Sequence, residues 1–345
     1  MTKKKSALRL TVILTAIMIF SAVSVSAVSV SAVGDSLIAA GTPLGIRFRT
    51  DGVVITGIRA ISEDEGSPAL DAGLRRGDII THIGGTKIEN AEGLQNAIKS
   101  SDGEVRIKYL RAGRELATVL TPSRDADGVL RLGLWIRESA SGIGTITFID
   151  PSDSTFAGLG HGICDSESGA LLPLAEGTVE DVILTGIAVG RRGIPGELHG
   201  FFSGKQNGRL TGNTFSGVTG VLSSIPEGLE NEIYPVGKKG DVHEGEAFIF
   251  ATVDGQGRQK YSIELSKIDM GGSQKNFTVT VTDSTLLEKT GGIVQGMSGS
   301  PIIQDGKLIG AVTHVLVSDP TSGYGIFIEN MFSSERTTIA ENVAA

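Results

Sequence analysis

The sequence predicts a mainly β chain of 345 residues in three parts: an N-terminal membrane-targeting helix, a small α+β module and an antiparallel β-barrel domain. Glycine is abundant at 48 residues while aromatics are only 5%, a balance that suits short strands joined by tight turns. Stretches beyond residue 128 alternate apolar and polar residues, as strands do. The one long apolar run stands at the N-terminus, behind lysines.

Lys3, Lys4, Lys5 and Arg9 precede an apolar run from Leu10 to Phe20, continued by a weaker Ser/Val/Ala stretch to Val33. A positive flank before an apolar core is an export signal. The run is long enough to cross a bilayer, yet its serine-diluted second half offers small-residue sites such as Val25-Ser26-Ala27. Residues 1–36 are therefore expected to be a signal or anchor segment, uncleaved or slowly cleaved, with the remaining chain outside the cytoplasm. A net charge of -8 with no long basic run sets nucleic acid aside as a partner. Cys164 has no cysteine to pair with and reads as a small buried hydrophobe.

Residues 40–123 form a self-contained pattern. Pro43-Leu44-Gly45-Ile46 and Val53-Val54-Ile55 are followed by Gly66-Ser67-Pro68-Ala69, by Ala72-Gly73-Leu74-Arg75-Arg76-Gly77-Asp78-Ile79-Ile80 and by Ile83-Gly84-Gly85. This resembles a PDZ domain of the bacterial type. Leu44, Gly45 and Ile46 would then offer backbone N–H groups to a peptide carboxylate beside an open strand edge. Asn90 to Ser100, with Leu94, Ala97 and Ile98 at helical spacing, would be the other wall of the groove.

The charged stretch 124–128 reads as a linker. The segments 130–136, 144–149, 247–253, 261–265 and 277–281 read as strands of a barrel domain spanning 129–333, with a short tail over 334–345. Within it, Gly296-Met297-Ser298-Gly299-Ser300-Pro301-Ile302 has the build of a serine nucleophile loop: glycines permit a tight turn, and the N–H groups of Gly296 and Ser298 could hold an oxyanion. Asp305-Gly306 joins the two apolar strands that follow, a strong hairpin signal.

A serine nucleophile needs a base, and there are five histidines. His82 belongs to the PDZ-like module, His243 lies in a charged loop, and His314 lies in an apolar strand where a core or rim role is the default. His161, flanked by Gly160 and Gly162, has the space a general base needs; His199 is its main competitor. A zinc reading fails because His243-Glu244 is followed by Ala247 where a second histidine would be required, and nothing else calls for a cofactor.

With these residues in place, the chain resembles the stage IV sporulation protein B family of serine peptidases. The resemblance covers nearly the whole chain, and the Leu159-Gly160-His161-Gly162-Ile163-Cys164-Asp165 run matches the family's histidine context. It implies a chymotrypsin-like barrel in which Ser298 is the nucleophile, His161 the base and an acid shortly before the serine the third member. Asp283 fits that acid, with Asp165 and Asp269 as competitors, and Thr313 could support its carboxylate. Where trypsin-like enzymes carry an aspartate before the serine this chain has Met297, so activation by a new N-terminal amine is unavailable. The resemblance also implies sporulation signalling, self-cleavage near the N-terminus and cleavage of a membrane-bound regulator of an intramembrane protease, in the space between forespore and mother-cell membranes. The alternatives are a membrane-anchored PDZ scaffold without activity and a general envelope quality-control protease.

Overall fold

The computed structural model describes residues 35–62, 66–101, 103–166 and 169–332. Residues 1–34 of the expected export segment and the C-terminal tail lie outside the described residues, and Ser36, assigned to that segment, already belongs to a strand. Among the described residues no helix is long and apolar enough to cross a membrane.

The described chain opens with β1 (Ser36–Ala39) and the long strand β2 (Pro43–Ile58). Leu44, Ile46 and Phe48 of β2 are buried, while Arg47 and Arg49 turn to the opposite face and pair with Glu180 and Glu176. That period of two marks a strand with one face in a core. Leu44, Gly45 and Ile46 are therefore not the exposed carboxylate-binding loop expected from the sequence. Gly45 lies between Glu180 on one neighbouring strand and Ile143 on another, so this stretch has no free edge to offer a ligand. The physical reason is burial: an alternating apolar run is worth more inside a barrel than on an exposed loop.

At Asp51-Gly52 the strand bends; Gly52 has φ 106°, and a Cβ there would stand 2.6 Å from the Ile80 carbonyl oxygen. Beyond the bend the chain enters the α+β module: α1 (Pro68–Asp71), β3 (Ile79–Ile83), β4 (Thr86–Lys87), α2 (Ala91–Lys99), β5 (Val105–Arg111), β6 (Arg114–Leu120), β7 (Ser123–Arg124) and β8 (Leu130–Arg131). Asn90 caps α2 by accepting from the Gly93 N–H at 2.7 Å, and Leu94 and Ile98, one helical turn apart, enter the core with Val53, Ile55, Ile80 and Ile107. Asp78 is buried, and both its oxygens accept from the Arg111 guanidinium at 2.7 Å. Residues 124–128 are a tied turn rather than a linker, because the Asp125 carboxylate accepts from the Val129 N–H and from Arg131.

β9 (Leu134–Ile149) then returns along β2, from Leu134 opposite Ile58 to Thr145 opposite Pro43. It is followed by β10 (Thr155–Gly158), β11 (Leu174–Ala188), β12 (Glu197–Thr214) and β13 (Gly217–Leu222). The pairings close into a ring running β9, β10, β13, β12, β11, β2 and back to β9. Leu44, Ile46, Phe48, Ile146, Phe156, Val179, Leu210 and Val218 fill it. The module is thus inserted between two neighbouring strands of this first barrel. The expected division at 40–123 and 129–333 is corrected accordingly, since residues 43–49 belong to the barrel.

β14 (Ile233–Pro235) pairs with β1 and leads to a second, closed barrel. It comprises β15 (Gly245–Ala251), β16 (Gln259–Ser266), β17 (Phe277–Val281), β18 (Pro301–Gln304), β19 (Lys307–Leu316) and β20 (Asp319–Phe327), with α3 (Ser284–Thr290) between β17 and β18. The Asp305-Gly306 hairpin forms as expected, both residues having positive φ as a type I′ turn requires.

Candidate active site

The nucleophile loop hangs between α3 and β18. Met297, wholly buried, plugs the second barrel's core, its N–H bonded to the Val294 carbonyl at 3.1 Å. The Ser300 N–H and hydroxyl both donate to the Met297 carbonyl, at 3.0 and 2.7 Å. This tight turn leaves Ser298 at its apex and commits the buried Ser300 hydroxyl to structure, so Ser298 is the serine free to react.

The first barrel clamps this loop. Thr145 Oγ1 donates to the Gly296 carbonyl at 2.7 Å, the Thr145 N–H donates to the Ser298 carbonyl at 3.0 Å, and Thr147 Oγ1 donates to the Gly299 carbonyl at 2.7 Å. Gly299, at φ 97°, packs so closely that a Cβ would come within 2.1 Å of the Thr145 carbonyl oxygen. With these carbonyls turned toward β9, the Gly296 and Ser298 N–H groups have no acceptor among the described residues. They are the donors an oxyanion hole requires.

His161 follows β10. Leu159 and Gly160 both have φ 67°, a left-handed excursion that leucine rarely makes and that redirects the chain out of the strand. A Cβ on Gly160 would meet Thr313 Cγ2 at 2.9 Å, and one on Gly162 would meet Leu171 Cδ1 at 2.4 Å. Glycine on both sides is thus required by close packing. Asn213 braces the segment beyond: its Oδ1 accepts from the Ile163 N–H, and its Nδ2 donates to the Ile163 and Leu172 carbonyls, all at 2.9 Å. His161 Nδ1 lies 3.0 Å from the Gly162 carbonyl oxygen. A carbonyl can only accept, so Nδ1 carries the proton and Nε2 keeps the lone pair a general base needs.

Ser298 and His161 line one cavity of about 600 Å³, together with Ala140 to Gly144 of β9, Asp165, Phe215 and His314. His314, read from sequence as a core or rim histidine, lies with its ring centroid 4.8 Å from that of His161. Desolvation, the neighbouring His161 and then Lys275 pull the His314 pKa down from 6.5 to about 4. Burial lowers His161 as well, partly offset by its bond to Gly162. Both rings are neutral at pH 7, the state a base must start from. Cys164 lines the cavity as a thiol, its pKa raised by burial and by Asp165.

Asp283 is not brought to His161. Its carboxylate caps α3, accepting from the Leu286 N–H at 3.0 Å, and also accepts from the Ser262 N–H at 3.3 Å. Thr278, opposite Tyr324, is level with His314; at about 3.3 Å per residue the end of β17 at Val281 is already roughly 10 Å farther along, and Asp283 follows it. Thr313 does not support it either, since its hydroxyl donates to the Tyr324 carbonyl at 3.2 Å. Asp269 is likewise absent from the cavity, whereas Asp165 lines it, buried. His199 lies on β12 beside Glu197, His243 is bonded to Asp305 at 2.8 Å, and His82 sits in the module beside Thr81. The sequence reading missed Thr145, Thr147 and Asn213, each an unremarkable polar residue in a strand whose partner lies far away in sequence.

Residues 128–332 match the SpoIVB peptidase S55 family, and residues 61–111 match the PDZ domain. The chain belongs to the SpoIVB peptidase S55 family. It is a serine endopeptidase carrying a PDZ domain, and its substrates are peptides or proteins. No curated protein matches it. Among solved structures, the PDZ domain of the SdrC-like protein from Listeria monocytogenes is 25% identical, covering 25% of this chain and 87% of that one, with a TM-score of 0.22. The active form of the Rv3671c protease from M. tuberculosis is 14% identical over 57% of this chain and 74% of its own, with a TM-score of 0.33. The HtrA-type protease AlgW with decapeptide is 11% identical over 88% and 66%, with a TM-score of 0.35.

Proposed function

We propose that this chain is an exported endopeptidase of endospore formation that cuts itself near its N-terminus and cuts a membrane-associated regulatory protein, thereby licensing an intramembrane protease to process a sigma factor. The family supports the sporulation setting, and the lysine-flanked apolar N-terminus supports export to the space between forespore and mother-cell membranes. The chemistry rests on one observation: Ser298 stands at the apex of a clamped turn, the Gly296 and Ser298 N–H groups without an acceptor among the described residues, in the cavity that also holds the neutral His161.

In the reaction, Ser298 Oγ forms a bond to the peptide carbonyl carbon while His161 Nε2 takes the hydroxyl proton. The carbonyl π pair moves onto oxygen, held by the Gly296 and Ser298 N–H groups. Collapse breaks the C–N bond, His161 returns its proton to the departing amine, and an acyl-enzyme remains. Water then repeats the sequence, releasing the acid and restoring Ser298. The Gly162 carbonyl, holding Nδ1–H, keeps the imidazole in the required tautomer throughout.

Purified wild-type and Ser298→Ala proteins, incubated and read for new N-termini by mass spectrometry, test the reading. The wild type should lose its N-terminal segment and the variant should not. Equal shortening of both would defeat it.

A further inference from the structure

Thr145 turns both its backbone groups away from β2: its N–H donates to the Ser298 carbonyl and its carbonyl accepts from the Leu159 N–H at 3.1 Å. Pro43, its partner on β2, has no N–H to give. From Thr145 to Ser139 the pairing with β2 runs without a register shift, so residues two apart face the same way. Ile143, Ser141 and Ser139 therefore also direct their N–H and C=O groups away from β2. None of these groups makes a hydrogen bond among the described residues.

This is an open strand edge whose far end is already joined to the nucleophile loop. Ile143 lies about 7 Å along it from Thr145. The side chains of Ser139, Ala140, Ser141 and Gly142 are small and leave the approach clear. Ile46, Phe48, Leu159, Ile163 and Phe215 make the cavity wall beside this edge apolar.

We propose that a substrate peptide binds in extended form as an added strand on the β9 edge at Ser139, Ser141 and Ile143, with an apolar side chain next to the scissile bond in the cavity lined by Phe48 and Phe215. The proposal deepens the serine peptidase reading and rests on it. Unpaired N–H and C=O groups on a strand edge are a ready template for an extended chain, giving affinity without reading side chains, while the apolar wall selects beside the cut. The same strand continues to Leu134 beside the PDZ domain, so a chain lying along it passes from that domain toward Ser298.

The test uses the full chain and three phosphonate probes that label serine nucleophiles: a small fluorophosphonate, a tetrapeptide diphenyl phosphonate ending in phenylalanine, and the same tetrapeptide with single backbone N-methylations. The tetrapeptide should label Ser298 much faster than the same phosphonate without its peptide. N-methylation at the positions facing Ser141 or Ile143 should remove about tenfold of that rate, on the order of one lost hydrogen bond in a closed site. Ser141→Pro, which removes an outward N–H and no ladder bond, should slow the tetrapeptide similarly. The proposal is overturned if the peptide portion confers no acceleration, or if no N-methylation changes the rate. Failure of the small fluorophosphonate to label the wild type would instead overturn the serine peptidase reading itself.

Discussion

The imidazole rings of His161 and His314, one from each barrel, face each other with centroids 4.8 Å apart and planes inclined by 36°. Charging either ring in this cavity costs desolvation first, and a charged His314 would in addition place a cation beside His161. Both pKa values accordingly lie below the ordinary 6.5, His314 at about 4. The acid limb of the kcat/KM profile should therefore have its midpoint below 6.5, because the base is the neutral His161. A limb at or above 6.5 would contradict this.

The same shift affects stability. Between pH 6.5 and about 4 the unfolded chain binds protons on these histidines that the folded chain does not, so stability is full above 6.5 and falls as the pH drops through that window. Replacing His314 by Phe, which keeps an aromatic ring without a titrating nitrogen, should flatten the fall in melting temperature across this range.

Thr145→Val keeps shape but leaves the buried Gly296 carbonyl without its donor. We expect a loss of about 1–3 kcal/mol in denaturant melts. Labelling of Ser298 by a fluorophosphonate should slow on the order of 10- to 100-fold as the loop loses its position. Thr145→Ser retains the donor and should recover most of both.

Asn213→Ala takes one partner each from the Ile163 N–H, the Leu172 carbonyl and the Ile163 carbonyl, the last of which keeps the Leu172 N–H at 3.0 Å. Because three backbone groups lose one partner, melting should fall by about 1–3 kcal/mol. Hydrogen exchange at residues 162–166 and 169–172 should rise, whereas a uniform rise across both barrels would point to general destabilisation.

Asp283→Ala removes the cap of α3 and should cost about 0.5–2 kcal/mol, while Asp283→Asn, a good capping residue, should be close to neutral. Ser298 reactivity per folded molecule should be unchanged in both variants. If Asp283→Asn instead folds normally yet loses about four orders of magnitude in kcat, Asp283 orients the base after all.

Much of the site was legible because its signals are local. Gly296-Met297-Ser298-Gly299-Ser300-Pro301 encodes its own tight turn, Gly160 and Gly162 mark His161, though they answer close packing against Thr313 and Leu171 rather than the open space expected of them, and Asp305-Gly306 specifies its hairpin. The misread parts depend on partners distant in sequence. Leu44-Gly45-Ile46 has the composition of a ligand loop and the alternation of a barrel strand, and only its pairing with residues 142–144 and with β11 decides between them. His314 looks like a strand residue in an apolar run until the first barrel sets His161 against it. Asp283 has a plausible spacing from Ser298, but the residues between them form a helix that needs a cap.

The β2 and β9 ladder resembles a hairpin whose tip has been exchanged for an entire domain. Arg49 and Ser139 face each other across that ladder at the point where the domain begins. Cutting the gene at the apparent end of the PDZ domain would remove a stave of the first barrel, and the resulting inactivity would say nothing about regulation. A clean excision joins the chain near Arg49 to the chain near Ser139 through a two-residue turn, leaving both barrels whole.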